Sequence, residues 1–88
     1  MIHAISINQL QRAPRENFIP GHHYMLVDWT KEYCVKRVFN EDDSQRVVKF
    51  LEKNPTQFKL VYESIPFRNT THSSTTEPYL KLYILEKL

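Results

Sequence analysis

The sequence predicts an α+β fold, an antiparallel or mixed sheet of about five strands with one main helix packed on one face. Three observations carry this reading. Short runs of apolar, aromatic and β-branched residues recur along the chain between polar stretches. A single segment places apolar residues at helical spacing behind an acidic start. The length, 88 residues, fits one domain covering residues 1–88.

Taken in order, residues 2–7 alternate weakly around Ile2, Ile5 and Ile7 and read as a strand. A helical turn near residues 9–12 should end before Pro14, since the residue preceding a proline avoids the helical region. Pro20-Gly21 signals a turn. Residues 23–29 read as a strand, with Tyr24 and Leu26 on one face and Met25, Val27 and Trp29 on the other. Apolar residues on both faces predict a central strand covered on each side. Residues 33–39 read as the other arm of a hairpin. Here Tyr33, Val35, Arg37 and Phe39 share one face, and Cys34, Lys36 and Val38 the other.

Asn40-Glu41-Asp42-Asp43 has the composition of a helix start, because amide and carboxylate side chains cap exposed N–H groups and suit the positive end of the dipole. The predicted helix covers 43–53, with Val47, Val48, Phe50 and Leu51 at helical spacing and Asn54-Pro55 as its stop. Residues 57–65 read as a strand with Phe58, Leu60 and Tyr62 on one face, ended by Pro66. The Thr- and Ser-rich stretch 66–78 is long for an internal loop, and such stretches are as a rule functional or mobile. Residues 79–86 alternate Leu80, Leu82 and Ile84 with Lys81, Tyr83 and Leu85 and read as a strand, a helix being the alternative.

Composition narrows the function classes. A single cysteine, Cys34, excludes an internal disulfide framework, and a single glycine, Gly21, argues against a glycine-rich phosphate loop. No run approaches the roughly 18–20 apolar residues of a membrane span. Met1-Ile2-His3-Ala4 lacks the pattern of a signal peptide, so a cytoplasmic location is expected. Without a secretion signal, the glycosylation pattern Asn69-Thr70-Thr71 is read as a chance match. The net charge of +2 is too small to argue nucleic acid by itself.

No metal or other cofactor is expected. His22, His23, His72 and Cys34 lack the short paired spacings of zinc ligands, and adjacent histidines on a strand point to opposite faces. No catalytic residue is assigned. The three histidines with Lys36, Arg37 or Arg68 contain the parts of a small ribonuclease but show no acid–base pairing. The helix cations Arg46, Lys49 and Lys53 form a slightly basic face of the kind that is usually just solvated.

Two candidate partner-binding surfaces remain. Tyr33, Lys36 and Arg37, with Trp29 nearby, resemble a basic-aromatic platform. Phe67, Arg68, Asn69, Thr70 and His72 offer an apolar anchor, a planar cation and adaptable hydrogen bonding at the base of the 66–78 loop. Tyr24, Tyr33, Tyr62, Tyr79 and Tyr83 add contact area at low entropic cost. The expected function is a non-enzymatic protein-binding module, a masking inhibitor or adaptor acting through a sheet edge and the 66–78 loop. Small accessory proteins, viral and phage inhibitors among them, work by such steric masking, and a homodimer through a sheet edge fits the same features. The alternatives are a nucleic-acid-binding module using Lys36, Arg37, Arg68 and the helix cations, and, behind it, a small ribonuclease.

Overall fold

The computed structural model describes residues 1–30, 45–67 and 79–88. Strand β1 is Ile2–Ala4, helix α1 Ile7–Arg12, strand β2 His23–Thr30, helix α2 Arg46–Lys53, strand β3 Phe58–Glu63 and strand β4 Tyr79–Lys87, with a 3-10 turn at Arg15–Asn17. The strands form one sheet in the order β1-β2-β4-β3. The sheet is mixed: β1 runs parallel to β2, while β2 with β4 and β3 with β4 are antiparallel. The described residues therefore hold four strands rather than five. The expected strand 33–39 and the acidic helix start at 40–43 lie outside them.

The first strand is shorter than expected because a helix begins inside the 2–7 run. The Ser6 hydroxyl accepts the Gln9 N–H at 3.1 Å, and the Gln9 side-chain oxygen accepts the Ser6 N–H at 2.7 Å. This reciprocal capping box satisfies donors that an uncapped helix would leave open. Ile7 thus opens α1 instead of extending β1. The helix stops at Ala13, in extended conformation before Pro14, as the proline rule predicts.

Helix α2 takes its cap from another element. The Asp28 carboxylate on β2 accepts the Val47 N–H at 2.7 Å through Oδ2 and the Trp29 N–H at 2.9 Å through Oδ1. Gln45, just before the helix, has φ 55°, a left-handed conformation that costs a non-glycine residue roughly 1–2 kcal/mol. Two bonds to the end of β2 hold it there: its N–H donates to Trp29 O at 3.1 Å and its side-chain amide to Thr30 Oγ1 at 3.2 Å. At the other end, the Asn54 amide donates to Phe50 O at 2.9 Å, and Pro55 follows.

Both helices cover the same face of the sheet. Leu10, Phe18, Val47 and Phe50 meet Tyr24, Leu26, Phe58, Tyr83 and Leu85 in the core. Phe58 is central to it, with edge-on ring contacts to Phe18 at 5.3 Å and Phe50 at 5.5 Å. β2 is central, as expected, between β1 and β4; among the described residues helices pack on its Tyr24 and Leu26 side, and Val27 on the other side is 47% exposed. A correction concerns β3. A β-bulge lies between Leu60, opposite Leu85, and Tyr62, opposite Ile84. Tyr62 is thereby turned away from the face of Phe58 and Leu60. The closing segment is a strand, as read, and pairs with β2 along all eight residues of His23–Thr30. Among the described residues no helix is long and apolar enough to cross a membrane.

Burial raises the Asp28 pKa above its ordinary value of 3.8, and the Val47 and Trp29 N–H groups with the Arg46 charge pull it partly back. Replacing Asp28 by Ala leaves the Val47 N–H unpaired inside the protein and should cost about 2 kcal/mol in urea denaturation. The raised folded-state pKa means that the folded protein binds the Asp28 proton more readily than the unfolded chain. This stabilising contribution is complete below the unfolded value and is lost as pH rises through the folded one. The stability of the wild type relative to Asp28→Asn should therefore increase on acidification from about pH 7 to below about pH 4. Ser6→Ala should cost about 1 kcal/mol, read in the same assay.

Candidate interaction face

The face of the sheet opposite the helices is apolar. Strict alternation along β2 puts Met25, Val27 and Trp29 there, and their partners on β4 are Ile84, Leu82 and Leu80. The β3 bulge adds Tyr62 beside Ile84. At one end, His23, Lys59 and Glu86 align across the three strands and supply a polar margin. An apolar centre bordered by polar groups is the usual anatomy of a protein interface.

Phe67 reaches this face through a splice in the β3–β4 hairpin. Pro66 has no N–H to give a ladder. Ser64 supports the pairing just before it. The Ser64 N–H donates to Leu82 O at 2.9 Å, and its hydroxyl accepts the Leu82 N–H at 2.8 Å in place of a backbone carbonyl. Ile65 then swings out, 82% exposed, and Phe67 rejoins the sheet opposite Leu80. Phe67 and Leu80 exchange both backbone bonds, at 2.8 and 2.7 Å. Bridged residues of antiparallel strands share a face, so Phe67 lands next to Leu80 on the open side.

Exposure separates this face from a core. Val27 is 47% exposed, Tyr62 50% and Phe67 38%, while Met25, Trp29, Leu80, Leu82 and Ile84 are half-buried. Of the eight partner-binding residues assigned from the sequence, Phe67 alone falls within the described part. Arg68, Asn69, Thr70 and His72, like Tyr33, Lys36 and Arg37, lie outside it. Val27 was not singled out, and Tyr62 only as one of the five tyrosines that add contact area. The signal for Val27 was present in the two-sided apolar pattern of β2; the face of Tyr62 was not foreseeable, because a bulge leaves no mark in the alternation.

The histidines near the start of the chain form a structural pair. His3 Nε2 and His22 Nδ1 share a hydrogen bond of 3.0 Å, one ring donating and the other accepting. The His3 ring also stacks on Tyr24, with centroids 5.0 Å apart. These contacts tie β1 to the turn before β2. Among the described residues no three His, Cys, Asp or Glu side chains group as a metal site needs. What the open face offers is apolar surface to bury.

Compared with protein-family models, curated proteins and solved structures, the chain finds no match.

Ser64→Ala removes the side-chain acceptor for Leu82 N–H and should cost about 1 kcal/mol. Hydrogen exchange should quicken at the Leu82 and Leu80 amides and stay unchanged at those of β1 and α1.

Proposed function

We propose that this protein is a non-enzymatic protein-binding module that masks or bridges its partner through the open sheet face, together with the adjoining β3 margin and the stretch after Phe67. One observation carries the reading: a continuous apolar surface on which Val27, Tyr62 and Phe67 remain exposed beside Leu80, Leu82 and Ile84. Monomers rarely leave a large contiguous apolar patch open to water, and those that do generally use it for binding. Tyr62 and Phe67 belong to the residue types that serve as anchors at interface centres. Seated there, a partner gains about 1.5–3 kcal/mol for each large side chain fully buried. Apolar contact of this kind is insensitive to salt, unlike binding to phosphates.

The test uses a photo-crosslinking residue at position 27, followed by mass spectrometry of the cross-linked products and light scattering of the free protein. Partner peptides should cross-link from position 27. Val27→Asp and Phe67→Asp should each reduce partner binding about tenfold or more, with folding free energy changed by no more than about 1 kcal/mol, since both side chains are well exposed. A dimer that Val27→Asp dissociates identifies the partner as a second copy. Binding that survives both substitutions removes the face from the function.

A further inference from the structure

On the helical side of the molecule, α1, the 3-10 turn and α2 enclose a concave groove of about 700 Å³. Five cations line it: Arg12 and Arg15 from the first helical stretch, and Arg46, Lys49 and Lys53 from α2. Among the described residues no carboxylate lines it. The chain as a whole carries a net charge of only +2. Folding has therefore gathered positive charge into one concavity from segments more than thirty residues apart, as the Arg46 bonds to Asn8 and Gln11 attest.

Two of the arginines are held before any ligand arrives. Arg46 Nη2 donates to Asn8 Oδ1 at 3.0 Å and to Gln11 Oε1, and Nε and Nη1 take no part in those bonds. Arg15 Nη1 donates to Leu10 O at 3.0 Å, and its guanidinium lies 4.9 Å from the centre of the Phe50 ring. A guanidinium fixed in this way loses little entropy on binding and presents a fork that matches phosphate oxygens.

We infer that this groove binds the phosphodiester backbone of a single-stranded nucleic acid. Its volume suits a short length of strand rather than one inorganic anion. Packed helices lie about 8–10 Å apart, which leaves a cleft too narrow for a duplex. The concave shape does not fit a flat bilayer surface. An acidic peptide would need apolar anchors that this mostly polar lining does not offer, whereas phosphates need only cations. The inference is independent of the protein-binding face.

The experiment is fluorescence anisotropy of the full chain with labelled single-stranded RNA and DNA of about 12 nucleotides, the matching duplex and polyglutamate. Single strands should bind at low salt, with a log–log salt slope of about −2 to −3.5, the value for three to five phosphates at roughly 0.7 each. Arg12→Glu and Lys53→Glu should each weaken binding about fivefold or more. Lys59→Glu, an equal change of charge on the opposite face of the sheet, should alter it less than about twofold. Circular dichroism verifies the fold, and Arg12→Gln with Lys53→Gln replaces the Glu variants if either unfolds. Absence of binding at low salt overturns the inference. So does equal weakening by Lys59→Glu, tighter binding of the duplex, or polyglutamate binding as tightly as the strands. Val27→Asp and Phe67→Asp should leave strand binding intact, so failure of one reading does not carry the other with it.

Discussion

The bond from the Val47 N–H to the buried Asp28 carboxylate joins the two halves of this fold. A helix start exposes several N–H groups, and here a carboxylate on a neighbouring strand receives one of them. Burying a charge is costly, and the raised pKa of Asp28 is the measure of that cost. The return is positional. With Val47 fixed to β2, Phe50 comes down on Phe58, and Lys49 and Lys53 are brought alongside α1. The left-handed Gln45 is part of the same junction, since only a sharp reversal brings its N–H to Trp29 O.

The placement of both helices on one face follows from the small size of the chain. A domain of this length has apolar side chains for one core layer and little more. Aromatic rings fill that layer, and Arg15 closes its rim by lying over Phe50, Phe18 and Phe58. One cation thus seals the core and belongs to the groove. The same economy leaves the Val27 and Leu82 side of the sheet without a helix among the described residues. The described residues therefore present two surfaces of opposite character, one charged and concave, the other apolar.

Much of this was legible in the sequence. Strands β2, β3 and β4 and helix α2 follow from periodicity, and the end of α1 from Pro14. What escaped was whatever depends on partners distant in sequence. The capping box at Ser6 and Gln9 was visible as a spacing, yet three isoleucines at a strand-like interval outweighed it. The cap on α2 is supplied by Asp28, nineteen positions before Val47, and no local pattern announces such a bond. The basic groove was half seen. Arg46, Lys49 and Lys53 stood out as a helix face, but Arg12 and Arg15 join them only through the packing of α1 against α2. Phe67 was found because an aromatic at the base of a polar loop is conspicuous; Tyr62 was counted among the tyrosines but set on the wrong face, because the bulge shifts its phase.

That bulge has a further effect on how the molecule meets its neighbours. Among the described residues β3 is an outer strand of the sheet, and a regular outer strand offers a repeating row of N–H and C=O groups on which another backbone can grow. The extra residue between Leu60 and Tyr62 breaks the row and bends the strand. Stacking of copies through that margin is interrupted before it can propagate. On the proposed reading, a partner seated on the apolar face would be met through side chains, which one partner saturates, rather than through the backbone pairing that builds open-ended fibres.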